Sequence, residues 1–287
     1  MKLKLRIRLR EELTGFSFIG IWIVGFLVFT LVPLARTLWF SLNDVKVTAE
    51  GIKTTYVGLQ NYKNAILLDV SFGETIVHYA IEMFVYVPVI IVFALLVSLL
   101  LNAKLRGKGI FRTIYFLPVI ISSGPVIQQL EDQGATTLPG IQEIIALSQL
   151  EEMFPDVIAD LLTFLLTSFI TILWFSGVQM LIFLAGLQKL DASMYEAASI
   201  DGASRWESFW KLTLPSLNGM IVVNIVYTVI TQSVFSLNPV IQLIQRAMFD
   251  PATGMGYSAA MAWMYFVVLL LLLGLFVWIA KTRETAR

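Results

Sequence analysis

The chain contains no cysteine and a single histidine, His78. Disulfides, thiolate metal sites, thiol nucleophiles and paired-histidine metal sites are thereby excluded, and the redox compartment leaves no trace. Charge is scarce too. Only 14% of the 287 residues are Asp, Glu, Lys or Arg, against about 25% in ordinary soluble domains. A soluble chain of this length would still need a charged surface, so the deficit predicts that lipid covers much of this one. The formal net charge is zero, and no overall basic field points to nucleic acid. There is no Gly-x-x-x-x-Gly-Lys-Ser/Thr phosphate loop, no His-Glu-x-x-His and no Gly-x-Ser-x-Gly. No catalytic residue, metal site or bound cofactor is expected in this chain.

Apolar sequence is abundant, at 57% hydrophobic residues. Runs of about 20 apolar residues can cross a bilayer. Six candidate spans lie at roughly 16–40, 76–102, 110–130, 160–187, 214–238 and 257–280. The third is the weakest, because "VIISSGPVIQQL" turns polar and holds Gly124 and Pro125. Pro33, Pro88 and Pro118 read as bends within spans, where neighbouring elements satisfy the freed backbone groups. The N-terminal "MKLKLRIRLREELTGFSFIGIWIVGFLVF" has the basic start and apolar run of a secretory signal. No small-residue cleavage site follows, so an uncleaved anchor is expected. No internal repeat or linker is evident, and 1–287 reads as one membrane domain.

Lys and Arg placement orients the spans. Basic residues gather at Lys2, Lys4, Arg6, Arg8 and Arg10, at Lys104, Arg106, Lys108 and Arg112, at Lys189, Arg205 and Lys211, and at Lys281, Arg283 and Arg287. The connection 131–159 has none, carrying instead Glu131, Asp132, Glu143, Glu151, Glu152 and Asp156. Both termini are therefore expected in the cytoplasm, with 131–159 outside.

Polar residues inside spans usually face a bundle interior or a cavity. Asn224, Tyr227, Thr228 and Thr231 share one face of the fifth span, and Ser168, Thr171, Phe175 and Gln179 one face of the fourth. Amides, hydroxyls and rings suit a neutral, hydroxyl-rich solute, so Asn224, Tyr227, Thr231, Gln179 and Phe175 are candidate path residues. The same side chains also serve as glue between helices. Glu82 is the one acid deep in a span, six residues or about 9 Å from its expected outer end. With His78 one turn away, it either lines the outer mouth or forms a local pair reaching the interface.

One polar stretch interrupts the membrane sequence: "SMYEAASIDGASRWESFWKLTLP" at 193–215. Ser193-x-x-Glu196 and Ser204-x-x-Glu207 both have the capping-box pattern. Gly202 between them suits a left-handed helix end. The expectation is a short helix at about 194–200, a turn at Asp201–Gly202, a second helix from about 205, and Pro215 in the first turn of the next span.

The wording of this stretch resembles the EAA loop of ABC importer permeases. The family's Glu-Ala-Ala, three residues and Gly fall on Glu196, Ala197, Ala198 and Gly202, followed by Leu212 and Pro215. "LLNAKLRGKGIFRTIYFLPVIIS" at 100–122, "VGLQNYKNAI" at 57–66 and "LIFLAGLQKLDASMYEAA" at 181–198 are similar to the carbohydrate-importer branch, and the likeness runs over roughly 55–280. It implies an all-α integral membrane protein of six transmembrane helices. A cytoplasmic coupling loop, 190–214, joins the fourth and fifth. It also implies a multi-pass protein of a prokaryotic cytoplasmic (inner) membrane that lets a sugar or oligosaccharide through. Glu196, Ala197, Ala198 and Gly202 would dock a separate cytoplasmic ATPase holding Mg-ATP. A second, related permease and an extracellular or periplasmic solute-binding protein would complete the machine. "SLNPVIQLIQ", where that branch often has Gly-Gly-Pro, and the outer loop 131–159, whose "IQEIIALSQLEEMF" suggests a surface helix, depart from the pattern. The cargo could thus be a polyamine, phosphate ester or peptide. A remote reading is an ion-coupled carrier, channel or membrane scaffold.

Overall fold

The structure is a computed structural model describing residues 19–48, 51–103, 109–110, 113, 129 and 154–285. The expected third span, almost all of it, and 131–153 of the outer loop lie outside the described residues. In order come α1 (Ile19–Ser41), β1 (Asn43–Thr48), β2 (Gly51–Tyr56), α2 (Gln60–Leu67) and α3 (Val70–Asn102). After them follow α4 (Asp156–Thr167), α5 (Phe169–Leu187), α6 (Ala192–Ile200), α7 (Arg205–Ser216), α8 (Asn218–Ser233), α9 (Pro239–Phe249) and α10 (Gly254–Thr285). Among the described residues four helices are long and apolar enough to cross a membrane, and five if the bent pair α7–α8 is one span.

Several expected boundaries are corrected. The helix carrying the expected second span starts at Val70 rather than 76, so Glu82 lies twelve residues, about 18 Å at the helical rise, from the helix start. The fourth is two helices, broken at Ser168 (φ −89°, ψ 3°). The break has a partner: Tyr86 of α3 donates to Ser168 Oγ at 2.8 Å and stacks edge-on against Phe164. The fifth does not run straight from 214; α7 and α8 meet at 63° around Leu217. The helix carrying the expected sixth span begins at Gly254. Pro88 sits within unbroken α3. Pro33 and Pro215 each follow a π turn, Leu27–Leu31 and Phe209–Thr213, closed by Val32 N–H on Leu27 O and Leu214 N–H on Phe209 O. Proline lacks the N–H and crowds the carbonyl four residues back, and a wider turn just before it relieves that crowding.

The chain divides into two compact units, Met1–Glu74 with Leu243–Phe266, and Thr75–Gln242 with Val267–Arg287. The first contains a feature that the apolar runs gave no hint of. β1 and β2 pair antiparallel, from Asn43 opposite Tyr56 to Thr48 opposite Gly51. A two-stranded hairpin is marginal by itself, and three devices hold this one. Asn61 of α2, buried, donates from Nδ2 to Ser41 O and Asn43 O, each at 3.0 Å. Tyr62 Oη and Ser41 Oγ share a 2.7 Å hydrogen bond. Gly58 (φ +58°) makes the turn that delivers α2 to this position. The start of α10 meets β1 through two glycines: a Cβ on Gly256 would fall on Asn43 O and lie 3.0 Å from Val45 N, and one on Gly254 would lie 2.7 Å from Val45 O. Asp69 closes the unit, accepting from Ser71 Oγ (2.7 Å), Phe72 N (3.0 Å) and Tyr257 Oη (2.8 Å). Burial works to raise its pKa, yet these donors hold the carboxyl below its usual value.

Asn61→Ala removes two buried hydrogen bonds and leaves two carbonyls to find new donors. The expected cost is about 2–3 kcal/mol. Thermal unfolding of the purified protein measures it, and an unchanged transition would show that α2 does not hold β1.

Candidate functional site

The polar interruption folds as two short helices around a glycine. α6 is capped by Asp191, whose side chain accepts from Ser193 N at 3.0 Å. That bond, first to the amide and then to the Ser193 hydroxyl, keeps the Asp191 carboxyl below its ordinary pKa. The expected Ser193–Glu196 box is therefore not formed. Asp191 takes the cap, the helix starts at Ala192, and Glu196 falls at the fifth helical position, beyond reach of the first amides. α6 ends with Ala203 N on Ala198 O at 2.9 Å, and Gly202 at φ +81° supplies the left-handed turn. The second box is present: Ser204 Oγ accepts from Glu207 N, while the Glu207 carboxylate accepts from Ser204 N. Tyr195 Oη and Thr213 Oγ1, 2.8 Å apart, tie the two helices together at their far end. Glu196, Ala197 and Gly202 are exposed and Ala198 half-buried, which leaves this end of α6 and its turn as an accessible shoulder of the loop.

Two other features aim this shoulder. Leu217, fully buried at the α7–α8 bend, seats against Gly186 of α5, where a Cβ would come within 2.9 Å of its Cδ2. Farther along the same helix pair, Gln179 Nε2 donates to Thr228 Oγ1 (2.9 Å) and Asn224 Nδ2 to Gln179 O (3.3 Å). Gln179, Asn224 and Thr228 are all fully buried. Among the described residues, Gln179 Oε1 and Asn224 Oδ1 meet no donor. The expected path residues thus divide. Gln179 and Asn224 are brought together with Thr228. Phe175 packs edge-on against Phe235 with centroids 4.9 Å apart. Thr231, half-buried, turns its hydroxyl back to Tyr227 O at 2.8 Å, and Tyr227 is half-buried beside it. Glu82 and His78 are exposed on α3.

The structure also brings out residues that sequence reasoning passed over. Asn61 and Tyr62 lie inside "VGLQNYKNAI", whose wording gives no sign of the bonds they make to Ser41 and Asn43. Asn238 of "SLNPVIQ" is buried and caps α9, accepting from Val240 N (2.9 Å). Asn followed by Pro is a legible helix start, and α9 was there to be found.

Comparison with known proteins gives this geometry its context. Residues 67–283 match the family described as binding-protein-dependent transport system inner membrane component. The chain is 29% identical over 279 residues to the probable ABC transporter permease protein YesP of Bacillus subtilis, covering 90% of this chain and 87% of that one. It is 31% identical over 230 residues to the lactose transport system permease protein LacF of Rhizobium radiobacter (79% and 73% covered). It is 30% identical over 232 residues to the trehalose/maltose transport system permease protein MalF of Thermococcus litoralis (77% and 74% covered). Among solved structures, a bacterial alginate ABC transporter in complex with alginate pentasaccharide-bound periplasmic protein superposes with TM-score 0.61 at 18% identity, over 96% of both chains. At that identity the likeness is one of fold. The family match spans most of the chain, and the protein belongs to the inner-membrane components of binding-protein-dependent transport systems.

Proposed function

We propose that the chain is the permease subunit of an ATP-driven importer of a sugar or oligosaccharide and forms half of its translocation path. The observation that carries this is its membership of the family together with relatives named for lactose, trehalose/maltose and arabinooligosaccharides. The chain crosses the membrane six times with both termini in the cytoplasm, the third crossing being 110–130. α6, the Gly202 turn and α7 form the coupling loop. Glu196, Ala197, Ala198 and Gly202 dock a cytoplasmic ATPase, which holds the Mg-ATP. The capping of both helices and the Tyr195–Thr213 bond support this reading, since a force-transmitting element has to move as one body. A second permease completes the path, and a solute-binding protein delivers cargo from outside. Stimulation of ATP turnover in the reconstituted complex, read over a carbohydrate panel, tests the function. Stimulation by a polyamine, phosphate ester or peptide, and by no carbohydrate, would reassign the cargo.

Two predictions arise here. For topology, cysteines placed singly at Thr137 and Ala146 react with an impermeant thiol reagent from outside, while those at Ser199 and Glu284 do not. The reverse pattern removes the docking assignment. For the path, Tyr227→Ala or Asn224→Ala lowers transport or broadens solute choice with the complex still assembled. Asn224→Ala also strips a bond between α5 and α8, so its thermal stability is read alongside. Normal transport with unchanged specificity, coupled to a loss of about 1–2 kcal/mol, would make this strip helix-to-helix glue.

A further inference from the structure

The coupling-loop reading uses α6 and the turn but leaves unexplained the aromatic cluster that follows. Trp206, Phe209 and Trp210 pack ring on ring, with centroids 5.5 Å apart for Trp206–Trp210 and 5.2 Å for Phe209–Trp210. Trp206 is nonetheless 70% exposed and Trp210 42%. A groove of about 640 Å³ opens beside Trp210, with Val87, Pro88, Ile91, Ile221 and Phe276 in its wall. Among the described residues its lining side chains are apolar apart from Asn218 and the indole N–H of Trp210. Its size is that of a small-molecule site, roughly 300–1,000 Å³. Its exposed lining is mainly apolar, so a hydroxyl-rich solute would leave some of its hydroxyls unpaired, which is costly. A hydrocarbon chain laid along the apolar side chains buries its surface at no such cost.

We propose that α7 lies in the headgroup layer of the cytoplasmic leaflet and that the groove beside Trp210 holds an acyl chain of an anionic phospholipid. This rests on the cytoplasmic placement proposed above. The 63° bend at Leu217 tips α7 away from the axis of α8, as a segment leaving a membrane span for the membrane surface requires. Indole rings, apolar with one N–H, concentrate at the headgroup level. Basic residues adjoin both features in sequence: Arg205 and Lys211 flank the cluster, and Lys281 follows Ala280 of the groove wall. Lys211 is 3.5 Å from Glu207 in an exposed pair. Such pairs contribute little, and the ammonium keeps donors for a phosphate. The helix to the ATPase and the lipid surface are then contacted by opposite ends of one rigid loop.

The test uses the full transporter in right-side-out vesicles of phosphatidylcholine with and without phosphatidylglycerol. Trp206→Cys, Trp210→Cys and Ser199→Cys each carry a small thiol-reactive fluorophore, which the cysteine-free chain allows. Expected are quenching at 206 by lipids bearing a nitroxide at the headgroup, and at 210 by lipids bearing it on the acyl chain. The probe at 199 should respond only to an aqueous quencher inside. Arg205→Gln with Lys211→Gln should weaken the response to phosphatidylglycerol by well over tenfold, at about fivefold per basic residue near an anionic surface. Aqueous quenching at all three positions overturns the proposal. So does lipid quenching that disappears when the ATPase binds, which gives the patch to that subunit, or shielding that needs the second permease, which gives it to that one. A probe at 199 reached from outside, with 206 still quenched by lipid, overturns the leaflet and the topology but leaves the lipid site standing.

Discussion

Gly256→Ala unseats the hairpin from the last helix. The new methyl falls on Asn43 O, with Val45 N 3.0 Å away, and both are backbone atoms that no rotamer change moves aside. Overpacking against side chains costs about 1–3 kcal/mol. Against paired backbone the expected cost is about 3 kcal/mol or more, even though alanine favours a helix over glycine by about 1 kcal/mol. Against a total stability of roughly 5–15 kcal/mol, the variant should unfold at a clearly lower temperature and be cut by protease within 43–56. Gly274→Ala is the control, because none of the described residues lies within 4 Å of its Cβ position, and it should unfold at or above the wild-type temperature. Equal transitions for the two variants would mean that β1 is not held by this contact.

Gly202→Val should leave the protein in the membrane but uncoupled. Here the open space around Gly202 is informative. A Cβ meets none of the described residues within 4 Å, so the penalty is that of the positive φ, which β-branched residues tolerate poorly. Strain of about 1–3 kcal/mol is relieved if the turn opens and α6 swings from its shoulder. With each 1.4 kcal/mol worth a factor of ten, retention of the ATPase should fall about tenfold and solute-stimulated turnover with it. Gly202→Asn, which enters the left-handed region more readily, should keep most of both. Wild-type behaviour of the valine variant would reduce the loop to a connector. Glu196→Lys separates docking from helix capping. Since Asp191 caps α6, any effect of Glu196→Lys comes from the docked partner and not from a frayed helix.

How far the sequence could be read depended on the range of the interaction that decides each feature. Long apolar runs announce α1, α3, α5 and α10 because a span needs only composition and length. The Ser204–Glu207 box was legible because its partners are three residues apart. The Ser193 box failed on equally local grounds: Asp191, two residues earlier, is at least as good a cap and moves the helix start. The break at Ser168 has no glycine or proline to mark it, and its partner Tyr86 is 82 residues away. The bend at Leu217 depends on Gly186 in another helix. The hairpin is written in a short alternation, Val45 and Val47 about Lys46, which is easily lost between two spans. The positive φ at Gly202 follows from its position in the turn, while Gly256 looks like any other glycine until β1 is laid across it.

The contact between Asp69 and Tyr257 joins residues 188 positions apart, and Gly256 is still farther from Asn43. A ribosome adding about 5–20 residues per second needs roughly 10–40 s to cover that distance. Throughout that interval β1 and β2 exist without the helix they rest on. A nascent chain stalled or truncated before residue 254 therefore loses more than its last span: the 43–69 segment, completed long before, has no surface on which to settle. Quality-control proteases meeting such a chain should find their first cleavable site near its beginning, far from the defect at its end.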